Sequence, residues 1–215
     1  MGRPEGDRDR IDAMSELGNG LWTAGHYGEA LSVREAELAI KRRFGTTEES
    51  VLGVKSNLAS TYQMLERDEE ALSLRRDVYS GRLKLHGEEH NQTLFAAYNY
   101  ANMLVHLERF EEGKALLRRT LPVARRVLGE NDDMTLRMRW TSATALHDDP
   151  SATLDDFREA VNTLEDTEQT ARRVLGGAHP TTGLIERSLH RARAALRGDV
   201  ESLREAVEAM TAGDA

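Results

Sequence analysis

The sequence contains no cysteine and only four prolines in 215 residues. Without cysteine the chain cannot form a disulfide framework, a thiolate zinc site or a thiol nucleophile. It also lacks any run that approaches the roughly 20 apolar residues of a membrane-spanning helix, and its first eight residues show no apolar segment of a signal peptide. These absences fit an intracellular protein, and we expect it in the cytoplasm.

Acidic residues outnumber basic ones in this chain, and its formal net charge is -8 at neutral pH. This balance argues against general binding to nucleic acids or anionic membranes, which usually needs a basic surface. The arginines nevertheless form doublets, and three of the doublets lie just before a repeated glycine. Cations at such places complement the negative end of a helix dipole; an anion-binding stripe is the alternative explanation.

Glycine recurs at one spacing, because Gly45, Gly87 and Gly129 lie 42 residues apart. Other positions repeat with them, and Asn57 recurs as Asn99. Self-similarity at a fixed period of this size indicates a stacked array of structural repeats. Such an array presents a long, shallow binding surface rather than a deep pocket.

Each repeat is predicted to contain two helices. In the second repeat, apolar residues at three- and four-residue steps predict helices over 50–65 and 69–85, with a polar turn between them. The fourth repeat is five residues longer, with the extra residues around 147–151. We expect a disordered tail over 1–9, a single helical-repeat domain over 10–211 with repeats at about 11–45, 46–87, 88–129 and 130–176, a half repeat over 177–197, a cap over 199–211 and a second tail over 212–215.

The residue pattern resembles the tetratricopeptide repeat. Its motif has a small residue, a bulky one three positions later and an alanine twelve positions after the small one, as in Ala59, Tyr62 and Ala71. The 42-residue period and the boundary over 128–136, which begins Leu-Gly-Glu, resemble the kinesin-light-chain type of this repeat. The resemblance covers roughly residues 11–197. It implies an all-α fold, a right-handed superhelical solenoid of antiparallel helix pairs.

The resemblance also implies which side chains line a concave groove, since the first helix of each repeat faces inward in this family. They form a surface of amides and aromatic rings with a basic end, and they are Asn19, Trp22, Asn57, Gln63, Phe95, Tyr98, Asn99, Asn102, Arg137, Trp140, Arg187 and Arg191. Amides can donate to and accept from the backbone of an extended peptide, and aromatic rings are frequent interface anchors. The alternatives are that the rings pack between neighbouring helices and that the asparagines are solvated or structural.

Some tetratricopeptide domains hold the acidic C-terminus of a chaperone with two asparagines and three cations. Asn19 and Asn57 match the amide positions of that clamp. Ser15, Phe95 and Asn99 stand at the cation positions. Because a terminal carboxylate would then have no charge-assisted partner, we do not expect this clamp.

The sequence therefore predicts a non-enzymatic protein–protein interaction scaffold or adaptor that binds a peptide segment of a partner protein in its groove. Two alternatives stay open: a helical-repeat protein that binds single-stranded RNA, which would need a basic groove, and a structural or self-assembling spacer. No phosphate-binding loop, nucleophile elbow or metal-ligand pattern is present, so we expect no cofactor and no metal. The identity of the partner and the oligomeric state do not follow from the sequence.

Overall fold

The computed structural model of the protein describes the backbone of residues 4–213 and the side chains of residues 9–198. This part of the chain contains nine α-helices and no β-strand, which confirms the all-α prediction. None of these described helices is both long and apolar enough to cross a membrane. Their bounds are α1 Pro4–Thr23, α2 Tyr27–Arg43, α3 Glu48–Met64, α4 Asp68–His86, α5 Asn91–His106, α6 Phe110–Val127, α7 Asp133–His147, α8 Leu154–Val174 and α9 Pro180–Gly213.

The second repeat shows why the helices form where the sequence predicts them. Thr47 precedes α3, and its hydroxyl accepts a hydrogen bond from the backbone N–H of Ser50 at 3.3 Å. This bond satisfies one of the free donors of the first turn. Carboxylates in the first turn of α4 stabilise the helix, because they interact favourably with the positive end of its dipole. Both helices begin and end within two residues of the predicted bounds 50–65 and 69–85.

Glycines in left-handed conformations follow the second helix of each repeat. Gly87 comes directly after α4 with φ 79° and ψ 176°, a conformation that is nearly restricted to glycine. Gly45, Gly129 and Gly176 also have positive φ. The repeated glycines therefore mark the places where one helix pair ends and the next begins.

The N-terminal boundary differs from the sequence-based one. The sequence predicts a disordered tail over 1–9, whereas α1 begins at Pro4. Proline suits the first helical position, because its missing N–H would have no intrahelical partner there and its fixed φ is helical. Residues 1–3 of the predicted tail lie outside the described residues.

The C-terminal boundary also differs. α9 runs without a break over Pro180–Gly213, so the half repeat predicted over 177–197 and the cap predicted over 199–211 belong to one helix. Gly198 does not interrupt this helix, because one glycine in a helix interior costs only about 1 kcal/mol. Of the tail predicted over 212–215, the first two residues are helical and the last two lie outside the described residues.

The helices group into two compact units, Met1–Met103 (unit 1) and Leu104–Ala215 (unit 2). In unit 1, α1 packs on α2, α2 on α3 and α3 on α4. In unit 2, α6 packs on α7, α7 contacts both α8 and α9, and α8 packs on α9. Each unit therefore builds its core from helices that are close in the chain, as stacked repeats do.

Small residues occupy the positions where helices approach each other closely. The small residues of the motif are buried, and they are Ala30, Ala59, Ala71, Ala101, Gly113, Ala143 and Ala160. Because they lack bulk, neighbouring backbones can come together without a void. The bulky Tyr62 packs against a buried cluster of Leu38, Val54 and Leu58.

The longer fourth repeat forms an anchored loop between α7 and α8. The Asp149 side chain accepts a hydrogen bond from Lys114 Nζ at 2.8 Å, and it accepts two more from the backbone N–H and hydroxyl of Ser151. α8 then starts with a capping box in which Thr153 and Asp156 exchange hydrogen bonds. The extra residues are thus tied to α6 instead of projecting freely.

Candidate functional site

Unit 1 contains a cavity of about 440 Å³ that is lined by residues of all five helices from α1 to α5. The predicted groove residues Asn57, Phe95 and Asn99 are in its wall. The structure therefore brings together amides from two successive repeats and one aromatic ring, as the period predicts.

The wall of this cavity offers both polar and apolar contacts. Asn57 is exposed and Asn99, at the equivalent position one repeat later, is half-buried. Phe95 lies one turn before Asn99 on α5, and its side chain is 49% exposed. A large apolar ring that is half exposed in a cavity can contact a ligand without moving a core residue.

The floor of the cavity consists of charged side chains that the sequence analysis did not select. Lys41 of α2 and Arg75 and Arg82 of α4, here called the cationic floor, are 8%, 8% and 9% exposed. Lys41 Nζ lies 2.8 Å from the carboxylate of Glu37, which is also buried. Ser15 of α1 donates a hydrogen bond to the same carboxylate. The Lys41 charge is therefore neutralised within the cavity.

Arg82 is also neutralised, by a network at the repeat boundary. Its guanidinium donates to the carboxylate of Glu49 and to the side-chain oxygen of Gln92. His86 Nε2 lies 2.6 Å from the other carboxylate oxygen of Glu49. Hydrogen bonds from Arg82 and then from His86 hold the pKa of Glu49 below its ordinary value. Glu49 is therefore ionised at neutral pH, and it balances the Arg82 charge.

Arg34 of α2 is a buried arginine with a full set of neutral partners. It donates to the backbone oxygen of Asn57 at 3.0 Å, to Asn19 Oδ1 at 3.0 Å and to the hydroxyl of Thr61. Burial lowers its pKa, and the nearby Glu37 carboxylate opposes that shift. Arg34 joins three helices, so its role is structural.

Arg75 of α4 occupies the position equivalent to Arg34 but has fewer partners. Its Nη2 donates to Ser60 Oγ at 3.0 Å. Burial lowers the pKa of Arg75 to about 10, and the neighbouring Tyr98 opposes the shift. The guanidinium is therefore still charged at neutral pH although most of it is withdrawn from water.

The other groove residues predicted in unit 1 are not among those that line this cavity, and they are Asn19, Trp22, Gln63, Tyr98 and Asn102. Trp22 is half-buried, and its ring packs edge-on against Tyr27 with centroids 5.9 Å apart. Tyr98 is 8% exposed, so the structure places it in the core rather than on a groove surface. Gln63 and Asn102 are half-buried.

Unit 2 brings together Trp140, Arg187 and Arg191 of the predicted basic end. They line a largely apolar cavity of about 480 Å³. The indole N–H of Trp140 donates to Ser188 Oγ at 2.7 Å, which fixes the ring against α9. Arg187 and Arg191 are exposed, but Arg191 Nη2 lies 3.5 Å from Asp148 Oδ2. This surface therefore combines an aromatic ring with two cations, one of them next to a carboxylate.

Arg137 is not among the residues that line this second cavity. Its Nε lies 2.7 Å from Asp133 Oδ2, one turn earlier on α7. This spacing is typical of ion pairs on a helix surface. Two of the three arginines predicted at the basic end, Arg187 and Arg191, therefore line the same cavity, and Arg137 does not.

The repeat period itself holds the signal for the cationic floor. Charged residues four, seven and eleven positions after the small residue of a second helix stand on its buried face, where lone charges are rare. At these positions α2 has Arg34, Glu37 and Lys41, and α4 has Arg75, Val78 and Arg82. A search confined to the first helices overlooks them.

Comparison with known proteins identifies the family. A model of the tetratricopeptide repeat matches residues 51–92 and 96–133, one full period and most of the next. These residues are tetratricopeptide repeats. Solved structures with a similar fold include kinesin light chain-like proteins.

Two solved structures illustrate the shared fold. A kinesin light chain-like protein of Podosopora anserina, described as having nearly identical TPR-like repeats, superimposes with a TM-score of 0.71 at 24% identity. That match covers 100% of this chain and 99% of the other. BtubC (BKLC) from P. vanneervenii superimposes with a TM-score of 0.61 at 16% identity, covering 95% of this chain and 85% of that one. These likenesses establish the tetratricopeptide fold.

One curated relative is similar over a shorter stretch. The clustered mitochondria protein homolog of Candida albicans is 27% identical over 105 residues. The aligned stretch is 48% of this repeat protein and 8% of that protein. The similarity therefore concerns one small part of a much longer chain.

Proposed function

We propose that this protein is a cytoplasmic, non-enzymatic scaffold that binds an extended peptide segment of a partner protein in the unit 1 cavity. Tetratricopeptide repeats in general serve protein–protein interaction, which supports the class of function. The observation that carries the proposal is the convergence of Asn57, Asn99 and Phe95 on one cavity.

The two asparagines suit the backbone of an extended peptide. An extended chain presents N–H and C=O groups at regular intervals, and each amide side chain supplies one acceptor and two donors. Asn57 and Asn99 are one repeat apart on neighbouring first helices. Their hydrogen bonds would hold the peptide without regard to its side chains, while Phe95 would contact one apolar side chain of the ligand.

The ionisable groups of the cavity support binding over catalysis. Glu37 is paired with Lys41 and accepts a hydrogen bond from Ser15, and Arg82 is paired with Glu49. Groups that act in proton transfer or nucleophilic attack need an available proton or lone pair. These pairs instead give the cavity fixed charges, which suit recognition.

A second contact is proposed in unit 2, at Trp140, Arg187 and Arg191. A fixed indole with two exposed guanidiniums suits a ligand that presents an apolar side chain beside an acidic one. Because exposed charges are screened by salt, binding through this surface should weaken as ionic strength rises.

The proposal is tested by selecting random displayed peptides on the wild-type protein. The recovered peptides are then measured by calorimetry against an Asn57→Ala, Asn99→Ala double variant. The matched control is Asn91→Ala with Asn162→Ala, two exposed asparagines that are not among the residues lining either cavity described above. We expect the first variant to lose most of the affinity and the control to keep it.

Equal binding to both variants would remove the groove assignment. Tight binding of random single-stranded RNA that the same double variant abolishes would favour the RNA-binding alternative. Concentration-dependent oligomers in light scattering, lost in the double variant, would favour the self-assembling spacer.

A further inference from the structure

Two of the buried arginines of unit 1 stand at equivalent positions but differ in one neighbour. Arg34 and Arg75 both stand four residues after the small residue of their helix. Arg34 reaches the hydroxyl of Thr61 on the following first helix. One period later, the position of Thr61 is taken by Met103, which has no hydroxyl to accept a bond from Arg75.

Arg75 is consequently short of partners. Within the part of the chain whose side chains are described, Ser60 Oγ is its one hydrogen-bond acceptor and no carboxylate pairs with it. Its remaining guanidinium nitrogens are not fully buried. Those nitrogens therefore still reach the cavity that Arg75 lines.

The charge balance of the cavity singles out the same residue. Lys41 is matched by Glu37 at 2.8 Å, and Arg82 is matched by Glu49. Arg75 is the remaining member of the cationic floor. The floor therefore holds one positive charge without a counter-charge among the described side chains, in a place where burial strengthens electrostatic attraction.

We propose that Arg75 is the anchor for one carboxylate, the side chain of an Asp or Glu residue in the bound peptide. This proposal rests on the function proposed above and adds the chemical class of the ligand. The free nitrogens of the guanidinium can donate to a carboxylate from one planar group. Asn57, Asn99 and Phe95 would hold the peptide on either side of this acidic residue.

The site suits a monoanion better than a phosphate. A carboxylate supplies the single negative charge that Arg75 lacks. A phosphate carries close to two negative charges at neutral pH, and the second one would have no further unpaired cation of the cationic floor to balance it. Phosphoserine in place of the acidic residue should therefore bind more weakly than Asp or Glu.

The test uses peptides selected at random on the full-length wild-type protein. We expect them to share an acidic residue at one position, and its replacement by the matching amide should weaken binding about tenfold or more. Arg75→Met should weaken the acidic peptide by a similar factor and remove the difference between acid and amide. Arg76→Met, at the exposed neighbouring arginine, should change neither.

The outcomes separate the two proposals. Peptides that need Asn57 and Asn99 but show no acid preference, or that bind Arg75→Met unchanged, would overturn the role of Arg75 and leave the peptide groove standing. Peptides that bind tighter as phosphoserine would overturn the monoanion preference. If selection yields no peptide that depends on Asn57 and Asn99, the proposed function fails, and acetate alone then decides the role of Arg75.

Acetate is the smallest probe of the same chemistry. In nitrogen-15 spectra of the arginine side chains, sodium acetate should shift the Nε–H signal of Arg75 in a saturable way, more than sodium chloride at equal ionic strength. The signal of Arg76 should respond alike to both salts. An Arg75 signal that also responds alike to both salts would overturn the anchor.

Discussion

Units 1 and 2 use the same three buried positions of their second helices in opposite ways. Four, seven and eleven residues after the small residue, unit 1 has Arg34, Glu37, Lys41 and Arg75, Val78, Arg82, whereas unit 2 has Leu117, Thr120, Ala124 and Leu164, Thr167, Ala171. All twelve side chains are at most 9% exposed. The helix pair tolerates either choice, and in unit 1 four of the charged side chains line the cavity.

The contrast shows how differently the two units are stabilised. In unit 2, Leu164 and Ala171 belong to an apolar cluster that also includes Ile185 and Leu136. Burial of such side chains stabilises the fold directly. In unit 1 the charged side chains depend on specific partners, because a buried charge without one is destabilising. Unit 1 therefore holds polar groups in fixed positions, and unit 2 provides a more apolar core.

The largest effect is expected when a unit 1 charge is placed in unit 2. Leu164→Arg puts a guanidinium into the apolar cluster at a fully buried position, and we expect the free energy of unfolding in urea to fall by about 4 kcal/mol. Asn162→Arg, exposed on the same helix, should change it by less than about 0.5 kcal/mol. A loss below about 1 kcal/mol for Leu164→Arg would mean that unit 2 tolerates charge as unit 1 does.

A smaller loss is expected when the anchored loop of unit 2 loses its buried ion pair. Lys114→Met leaves the 8% exposed Asp149 without its cation, and we expect a loss of about 3 kcal/mol. The exposed pair of Arg158 and Asp155 is the control, since Arg158→Met should cost less than about 1 kcal/mol. Thermal or urea unfolding checks both, and equal effects would show that burial of the pair is unimportant.

Substitutions of the two equivalent arginines of unit 1 should change the free energy of unfolding by different amounts. Arg34→Met removes hydrogen bonds to three groups, and we expect it to lower the free energy of unfolding by about 2 kcal/mol. Arg75→Met removes one bond to Ser60 together with a buried charge, so its effect should be close to zero or stabilising. Urea unfolding of both variants is the measurement. A larger loss for Arg75→Met would show that Arg75 is the structural member of the pair.

Replacing each of the two tryptophans by phenylalanine should lower the free energy of unfolding by amounts that differ by about 1 kcal/mol. Trp140 of unit 2 donates to Ser188, whereas the buried indole nitrogen of Trp22 in unit 1 has no partner among the described side chains. Trp140→Phe should therefore destabilise more than Trp22→Phe, beyond the similar loss of ring volume. If the difference disappears in a Ser188→Ala background, the hydrogen bond is its cause. If the difference persists in that background, packing is its cause.

The last contrast is a pH dependence confined to acid conditions. Hydrogen bonds from Lys114 and then from Ser151 lower the pKa of Asp149 from 3.8 to about 2. A carboxyl group whose pKa is lower in the folded than in the unfolded state stabilises the fold at pH values above its unfolded-state pKa. This contribution should be complete above about pH 4 and decline as the pH falls toward 2. Unfolding measured across that range should show a shallower decline in Lys114→Met; an identical decline would exclude this ion pair as the source.

Most of the fold could be predicted from the sequence because its determinants are local. Helix bounds follow from the spacing of apolar residues, and repeat boundaries follow from glycines such as Gly87 whose backbone conformation other residues avoid. Asn57, Phe95 and Asn99 lie in one cavity, on the neighbouring first helices to which the repeat pattern assigns them. The end of α9 was harder, because a single glycine at 198 cannot show locally whether a helix continues.

The rest of the site could not be predicted in this way. Tyr98 and Phe95 are both aromatic and lie one turn apart on α5, yet one is buried and the other half exposed. Tertiary packing decides which of the two is buried, and no local sequence pattern distinguishes them. The cationic floor was missed because the family resemblance directs attention to the first helices.

The sequence by itself determined the period, the helix pairs and the small residues at their contacts, since each depends on neighbours within a few turns. The tertiary structure alone decided what the buried arginines do. Arg34 and Arg75 have equivalent places in their helices, but Arg34 donates to the hydroxyl of Thr61, whereas Met103 stands at the equivalent position one period later. Hydrogen bonding depends on atoms within about 3 Å, and those atoms come from the next repeat.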